Sequence, residues 1–361
     1  MSKIGILTFH RASNYGAVLQ TYALQTALKK LGADVSVIDY RCETVEKAHA
    51  PGRFVRAKGV KGILRFPGKL RKYMVFSAFR KRRLHLTQKA DGKNVSNIVN
   101  SYDALVAGSD QLWSKDFSGV DKTYFMPFSD SIRKYTYAIS VGDKSVSTEL
   151  KENLERYADS IRGISLREES AKQKIEELCH KECRVDLDPT FLLSKNEWNR
   201  IAKRPKTKNP YILIYTVADP INLIETAKKM AGEKGWDIFY LNSSFTGRCG
   251  VKKVRYSTPE EFVGWFTSAE CIFTNSFHGT AFSIITEKEF YVEGRSKRGK
   301  NQRSLNLMSM VDIHDRDITA DYIETEEINW VNVNQRITEL RKNSIDYLSE
   351  IENDKGETKR E

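Results

Sequence analysis

The sequence predicts an α/β protein with two doubly wound domains, each built on a parallel sheet that helices cover on both faces. The chain has 361 residues, about twice the length of an ordinary domain. Short apolar runs alternate with helical patterns along nearly all of it, and strands separated by helices pair in parallel. Hydrophobic residues make up 40% of the chain, which is enough for ordinary cores.

The first domain is predicted over residues 1–203, where strand and helix patterns alternate. Its predicted strands are KIGILTF, DVSVIDY, DALVAGSD, KYTYAISVG, GISLRE and VDLDPTFLL. Its predicted helices are GAVLQTYALQTALKKLG, ELKENLERYADSI and ESAKQKIEELC.

The second domain is predicted over residues 210–332. It follows RPKTKNP, a basic stretch with two prolines and no apolar residue, which is the best linker candidate. Its predicted strands are YILIYTV, DIFYLN, CIFTN and EFYVEG, and its helices are INLIETAKKMAGEKG, TPEEFVGWFTSAE and FHGTAFSIITE. Residues 333–361 are predicted to form a polar C-terminal helix with a frayed tail.

Composition favours a cytoplasmic protein. No apolar run reaches about 18 residues, so a membrane-spanning helix is not expected. The N-terminus lacks the cleavage site of a signal peptide, and the five scattered cysteines indicate reduced thiols. Cys179 and Cys183 are interpreted as sharing one helical face, because no second ligand pair follows at zinc-finger spacing. We therefore expect no metal and no other cofactor.

The net charge of +12 is concentrated in a basic segment, residues 47–90, where no acidic residue occurs between Glu46 and Asp91. Large apolar side chains are interspersed among its cations. Two interpretations stay open: a helical hairpin whose apolar side packs on its own domain, or a surface that meets anionic lipid headgroups. Nucleic acid is not expected as a partner, because no nucleic-acid motif is recognised.

Polar sequences follow the predicted strands, where ligands of open α/β sheets collect. In HRASNYG, residues 10–16, Gly16 would let a ligand approach the start of a helix, while Asn14 or Ser13 could equally be a plain N-cap. In GSDQLWS, residues 108–114, a carboxylate, an amide and an indole suit a sugar, although a turn with a buried tryptophan is the alternative.

Two further strand ends carry candidate catalytic groups. Arg167 in SLREES is a natural partner for a carboxylate or phosphate, unless it pairs with Glu168 or Glu169. His278 in TNSFHG lies in the first turn of a helix, where an imidazole can act as acid or base near neutral pH. Gly279 is expected to leave room beside the ring for a ligand, and a purely structural histidine is the alternative.

Seven motifs in order resemble the polysaccharide pyruvyl transferase family. They are GILTFHRASNYGAVLQTYAL, GSDQLWS, YAISVG, SLREES, DLDPT, TNSFHGTAFSI and NQRSLNL, from about Lys3 to Val311. The resemblance implies two Rossmann-like domains in a GT-B-like arrangement and transfer of pyruvate from phosphoenolpyruvate to sugar hydroxyls.

By this resemblance, His278 is the general acid and Arg167 grips phosphoenolpyruvate. The donor would also meet Asn275, Ser276, Gly279 and Arg303. The residues expected to face the saccharide acceptor are Asn14, Tyr15, Gly16, Gln20, Asp110, Gln111 and Trp113.

The chain departs from the family pattern at two positions. Some members carry an arginine where this chain has Ser276, so a second anion-binding cation must come from elsewhere. The candidates are Arg303 first, then Lys288, Arg295 and Lys297. Glu289 replaces a common proline, which is expected to change only a turn.

Two other functions compete with pyruvyl transfer. A nucleotide-sugar glycosyltransferase would use the same two-domain shape, with Glu287 or Glu289 near the ribose, but no clear pattern supports that role. A noncatalytic glycan- or anion-binding protein would instead need only the basic surface. If the acceptor is lipid-linked, the basic segment would hold a cytoplasmic enzyme at the inner face of the membrane.

Overall fold

The computed structural model describes residues 1–142, 146–241, 251–296, 299–318 and 326–355, and for 53–65, 296, 299 and 300 only the backbone. The chain divides into two compact units. The first unit comprises Met1–Leu192 and Leu340–Glu361, and the second comprises Leu193–Glu339. The sequence placed the boundary at 204–210, about ten residues later. The observed division assigns residues 193–203 to the second unit, where the ring of Trp198 lies 5.0 Å from that of Phe282.

The first unit contains a seven-stranded parallel sheet in the order β3-β2-β1-β4-β5-β6-β7. Its strands are β1 (Lys3–Leu7), β2 (Asp34–Tyr40), β3 (Leu86–Ala90), β4 (Ala104–Asp110), β5 (Arg133–Ile139), β6 (Ile164–Leu166) and β7 (Cys183–Val185). Its helices are α1 (Tyr15–Lys30), α2 (Glu43–His49), α3 (Pro51–Arg83), α4 (Val95–Val99), α5 (Lys115–Ser118), α6 (Thr148–Tyr157) and α7 (Glu169–Cys179), with 3₁₀ turns at Lys122–Phe125, Ala158–Ser160 and Pro189–Leu192.

The second unit contains a five-stranded parallel sheet in the order β10-β9-β8-β11-β12. Its strands are β8 (Tyr211–Tyr215), β9 (Asp237–Leu241), β10 (Lys252–Val254), β11 (Cys271–Thr274) and β12 (Glu289–Val292), followed by the pair β13 (Arg295–Ser296) and β14 (Gly299–Lys300). Its helices are α8 (Lys195–Ile201), α9 (Leu223–Lys234), α10 (Pro259–Ser268), α11 (Phe277–Ile285) and α12 (Gln302–Met310), and α13 (Trp330–Asn353) starts here and ends in the first unit.

The predicted fold class, α/β with two doubly wound Rossmann-like domains, is confirmed. In both sheets the first strand lies between the second and the fourth, so the chain winds outward in two directions. Apolar runs such as Tyr211–Tyr215 and Cys271–Thr274 are buried along their whole length, as expected for parallel strands covered on both faces.

The strand predicted over VDLDPTFLL is wrong after its first residue, Val185. β7 occupies Cys183–Val185, and Pro189–Leu192 form a 3₁₀ turn. Asp188 stabilises this turn, because its Oδ1 accepts hydrogen bonds from the backbone N (3.0 Å) and the hydroxyl (2.7 Å) of Thr190. Pro189 has no N–H to offer to a strand partner.

The interpretation of Cys179 and Cys183 as one helical face is also wrong. Cys179 ends α7 and Cys183 begins β7, because His180 adopts a left-handed conformation (φ 52°) that stops the helix. In the part of the chain that the structure describes, no group of three or more His, Cys, Asp or Glu side chains is placed to hold a metal ion.

Most of the basic segment forms the 33-residue helix α3. Its second half packs on its own unit, since the ring of Tyr15 lies 5.0 Å from that of Phe76 and the ring of Tyr22 lies 6.1 Å from that of Phe79. Phe76 and Phe79 have no exposed surface. The basic side chains between residues 53 and 65 lie outside the described side chains. Among the described helices, none is long and apolar enough to cross a membrane.

Candidate functional site

The carboxyl ends of β1 and β4 meet at the point where the first sheet changes winding direction, which is the usual ligand position in such sheets. The hydroxyl of Thr8 donates to the carbonyl oxygen of Ser109 (3.0 Å). Gln20 joins the same two residues, because its Nε2 donates to Oγ1 of Thr8 (2.8 Å) and its Oε1 accepts from the backbone N of Ser109 (3.2 Å). Gln20 is fully buried, so the prediction that it contacts the acceptor is wrong; it ties α1 to both strands.

Residues at the start of α1 remain reachable. Asn14 is exposed and is the N-cap of α1, with its side chain accepting a hydrogen bond from the backbone N of Ala17 (3.3 Å). Tyr15 is half-buried, and Gly16 is buried. The structure therefore shows the capping alternative for Asn14 and leaves the predicted acceptor contacts of Asn14 and Tyr15 as predictions.

Trp113 does not present a free indole face. It is 1% exposed and stacks on Phe125, with ring centroids 5.1 Å apart and an interplanar angle of 7°. The predicted stacking of Trp113 on a sugar is therefore wrong, and its ring belongs to the core of the first unit. Asp110 is partly exposed, whereas Gln111 is 8% exposed. Asp110 lies in a left-handed conformation (φ 84°) that directs the chain away from β4.

Arg167 lies among three carboxylates after β6. Its Nη1 lies 3.0 Å from Oδ2 of Asp188 and 4.0 Å from Oδ1 of Asp110, and its Nε lies 3.3 Å from Oε1 of Glu168. Burial by itself lowers the pKa of Arg167, but the carboxylates of Glu168, Asp188 and Asp110 raise it overall. The predicted salt-bridge alternative is therefore observed with Glu168, and Asp188 both binds Arg167 and stabilises the turn at Thr190. An anion at Arg167 would have to share it with these carboxylates.

Sequence reasoning missed a buried polar network formed by His10 and Arg11, in the loop between β1 and α1. His10 Nε2 lies 3.0 Å from Oδ1 of Asp39, and Arg11 reaches Asp39 (Nη1–Oδ1 2.8 Å) and Glu46 (Nε–Oε1 2.6 Å). Burial raises the pKa of Asp39, but the hydrogen bond from His10 and the charges of His10 and Arg11 lower it to about 2. The available signal was Asp39 itself, a charge inside the apolar strand DVSVIDY.

In the second unit, His278 follows the carboxyl end of β11, which pairs with β8 at the winding point of that sheet. It occupies the first turn of α11, whose N-cap is Ser276. Asn275 shapes the neighbouring loop, because its Oδ1 accepts from the backbone N of Val217 (3.0 Å) and its Nδ2 donates to the carbonyl oxygen of Ala218 (3.0 Å). His278 is 8% exposed, so its ring is largely buried at this strand end.

Gly279, which follows His278, has a different structural role from the predicted one. A Cβ atom on Gly279 would lie 2.0 Å from Oγ1 of Thr274, whose hydroxyl donates to the carbonyl oxygen of Tyr215 (2.7 Å). Gly279 therefore permits the close approach of α11 to β11, rather than leaving room beside the histidine ring.

The candidate second cations lie at different ends of the second sheet. Lys288 directly precedes β12, at the amino end of that strand, so its place in the fold contradicts a role beside His278. Arg295 and Arg303 follow β12, at the end where His278 lies. The backbone N of Asn301 donates to the carbonyl oxygen of Gly294 (2.7 Å), which brings the start of α12 back to this edge. Lys297 lies outside the described residues.

The acidic residues considered for a nucleotide ribose have structural partners. Glu287 Oε2 lies 2.7 Å from Nζ of Lys195, and Glu289 Oε1 lies 3.6 Å from Nη1 of Arg316. Glu293, which the sequence did not single out, accepts three backbone N–H groups from residues 221–223 (2.8–3.1 Å). These contacts hold the second unit together and favour no nucleotide site.

Solved structures share the fold at low sequence identity. A putative UDP-N-acetylglucosamine 2-epimerase from Listeria monocytogenes is 9% identical, with a TM-score of 0.51 over 97% of this chain and 91% of that chain. MnaA of S. aureus, solved with UDP, is 10% identical, with a TM-score of 0.50 over 97% of this chain and 91% of that chain. This likeness concerns the fold alone and agrees with the predicted GT-B-like class. A search among curated proteins finds no match.

The sequence of the chain matches the model of one protein family, described as polysaccharide pyruvyl transferase, over residues 14–296. The match begins at Asn14, includes Arg167 and His278, and ends before Arg303. It covers more than half of the chain and confirms the resemblance seen in the motifs. The chain therefore belongs to the polysaccharide pyruvyl transferase family and is a transferase.

Proposed function

We propose that the protein transfers pyruvate from phosphoenolpyruvate to two hydroxyls of one hexose, in a cell-surface polysaccharide or its lipid-linked precursor, and forms a cyclic ketal. One observation carries this proposal beyond the family: the family-matched His278 lies in the first turn of α11, at the winding point of the second sheet. At such a strand end an ionisable ring can meet a bound ligand.

The reaction begins with proton transfer to C3 of phosphoenolpyruvate, which consumes the carbon–carbon double bond and develops positive charge at C2. One sugar hydroxyl attacks C2 and loses its proton. The bond between C2 and the phosphate oxygen then breaks, and a second hydroxyl attacks C2 and loses its proton. Two C–O bonds form and inorganic phosphate leaves; the two protons lost by the hydroxyls balance the one gained by C3 and the one taken up by the departing phosphate. Both hydroxyls must belong to one sugar at suitable spacing, so the acceptor carries a free diol.

His278 delivers the proton, either to C3 or to the departing phosphate, and a positioned general acid of this kind contributes about 10²–10⁴-fold to rate. Arg303 and Arg167 hold the negative groups of the donor. Arg303 is favoured as the replacement for the arginine missing at Ser276, because α12 starts at the same sheet edge as α11. Fixed cations stabilise the charge of the donor without reorganising during the reaction.

The acceptor is proposed to meet Asn14, Tyr15 and Asp110, which are exposed or partly exposed at the winding point of the first sheet. Gly16 and Gln111 shape this edge from beneath. The enzyme is proposed to act in the cytoplasm, beside the inner face of the membrane when its acceptor is lipid-linked. The exposed Leu70 and Met74 on α3 lie among basic residues and suit such a contact.

The test is a titration of the purified protein with phosphoenolpyruvate, without added metal, followed by calorimetry and thermal shift. We expect saturable binding that Arg167→Ala abolishes and that uridine diphosphate does not reproduce. Arg167→Ala leaves three neighbouring carboxylates without their cation and can destabilise the fold. Arg303→Gln therefore serves as a second variant that leaves this buried group of charges intact. A response to uridine diphosphate without one to phosphoenolpyruvate would indicate a nucleotide-sugar glycosyltransferase instead.

A further inference from the structure

Basic side chains gather on the first unit where α3 passes the start of α1. Lys69, Lys72 and Arg80 are spaced to share one face of α3, and His49 ends the preceding helix α2. Burial and, to a smaller extent, the charges of Lys72, Lys69 and Arg80 together lower the pKa of His49 to about 4. The four side chains therefore lie near one another, and we call them the α3 basic cluster.

Two carboxylates act on Arg80, those of Asp39 and Glu46. Both already bind Arg11, at 2.8 Å (Nη1 to Asp39 Oδ1) and 2.6 Å (Nε to Glu46 Oε1). Asp39 also lies 3.0 Å from Nε2 of His10. Because Arg11 engages both carboxylates, they only partly offset the charge of Arg80.

In the described part of the chain, the guanidinium of Arg80 is buried and incompletely hydrogen-bonded. Arg80 is 2% exposed, and its guanidinium carbon lies 5.5 Å from the centre of the Tyr73 ring. Within the described ranges of the chain, Nη1 of Arg80 is buried without a hydrogen-bond partner. A buried donor left without an acceptor is costly, and a buried cation without a counter-charge more so. Such a side chain is typical of a site whose missing partner is a ligand.

Lys72 connects the cluster to the start of α1. Its Nζ lies 5.8 Å from the centre of the Phe76 ring, and that ring lies 5.0 Å from the ring of Tyr15. Burial, with a contribution from Lys69, lowers the pKa of Lys72 to about 8. Tyr15 belongs to the loop proposed to meet the acceptor. A ligand at Lys72 and Arg80 would therefore lie beside the acceptor position.

We propose that the α3 basic cluster binds a phosphate ester, and that in the proposed reaction it holds the phosphate that links the saccharide acceptor to its carrier. The acceptor assignment rests on the proposed function; the phosphate site itself does not. A phosphate dianion offsets two cations and accepts hydrogen bonds from a guanidinium and an ammonium together. A single carboxylate would neutralise only half as much charge.

The experiment is a calorimetric titration of the full chain with inorganic pyrophosphate, at low salt and without added metal. We expect saturable binding that Lys72→Gln weakens at least tenfold. The matched control is Lys81→Gln, which removes the same charge from an exposed position on the same helix and should change affinity less than twofold. Equal losses in the two variants, or no binding by the parent protein, would overturn the site.

Arg80→Gln provides a second variant, tested after thermal unfolding shows that it folds. It should also weaken pyrophosphate binding at least tenfold, because it removes the buried donor. Unchanged affinity in a folded Arg80→Gln protein would contradict the proposal, whatever Lys72→Gln shows.

Two further titrations identify the source of the phosphate. Phosphoenolpyruvate should bind equally well to the parent and to Lys72→Gln; competition with pyrophosphate that depends on Lys72 would assign the site to the donor and overturn the acceptor assignment. Vesicles of phosphatidylcholine with phosphatidylglycerol should bind the parent and Lys72→Gln alike. A selective loss of vesicle binding in Lys72→Gln would assign the site to a lipid headgroup.

The two proposals fail independently. Phosphoenolpyruvate binding that needs Arg167 tests the proposed function, whereas pyrophosphate binding that needs Lys72 tests the phosphate site. Loss of the first result with retention of the second would leave the phosphate site standing on a different enzyme activity, and the reverse would leave a pyruvyl transferase without this site.

Discussion

Nη1 of Arg167 lies 3.0 Å from Oδ2 of Asp188, with the arginine side chain 2% exposed and the aspartate side chain fully buried. Glu168 and Asp110 add two further carboxylates around the same guanidinium. Arg167, which the family resemblance assigns to donor binding, thus also offsets the charge of three neighbouring carboxylates in a buried position.

Asp188→Asn should therefore destabilise the first unit more than it changes donor binding. The change weakens a buried ion pair, and the asparagine can replace only part of the hydrogen bonding to Arg167 and Thr190. We expect a loss of about 2–4 kcal/mol in the free energy of unfolding, measured with urea. Glu169→Gln, an exposed change nearby, is the control and should be nearly neutral. A neutral Asp188→Asn would show that the ion pair contributes little.

His278→Gln should abolish most pyruvyl transfer and leave the fold intact. The imidazole acts as the general acid in the proposed reaction, so we expect a fall in kcat of about 10²–10⁴-fold with a small change in Tm. Phosphate release from phosphoenolpyruvate in the presence of acceptor measures the rate. His314→Gln, at an exposed position, is the control. An active His278→Gln enzyme would remove this residue from the mechanism.

Gly279→Ala should destabilise the second unit, because the added Cβ would lie 2.0 Å from Oγ1 of Thr274. Overpacking of this kind costs about 1–3 kcal/mol. The double variant with Thr274→Ala should show favourable coupling in a double-mutant cycle, since it removes the clashing hydroxyl. Additive losses would mean that the helix moves away from the strand at little cost.

His49→Gln should flatten the loss of stability in mild acid. The folded pKa of His49 is lowered to about 4, because burial and nearby cations disfavour its charged form. In the unfolded chain His49 binds a proton near its ordinary pKa of about 6.5. Its contribution to the free energy of unfolding is therefore fully present above that pH and is lost as the pH falls towards 4. We expect the parent to lose up to about 3 kcal/mol more than the variant over this interval. Parallel pH profiles of unfolding would contradict the prediction.

Much of the fold was predictable from local pattern. Continuous apolar runs such as YILIY and CIFT are typical of buried parallel strands, and their alternation with helices predicted both sheets. Strand β3 was not predicted, because LTQKA is polar and lies at the edge of its sheet, where burial imposes no apolar pattern. The turn at Pro189–Leu192 was missed because the side-chain bonds of Asp188 to Thr190 override an apolar run.

The sequence by itself determined the order of strands and helices, the family motifs and the strand ends at which Arg167 and His278 stand, because these depend on local periodicity and residue type. Only the tertiary structure decided which side chains at those ends are available. It buried Gln20 and Trp113, surrounded Arg167 with carboxylates and, among the described residues, left Nη1 of Arg80 without a hydrogen-bond partner. Burial and charge pairing join residues far apart in the chain, and no local pattern records them.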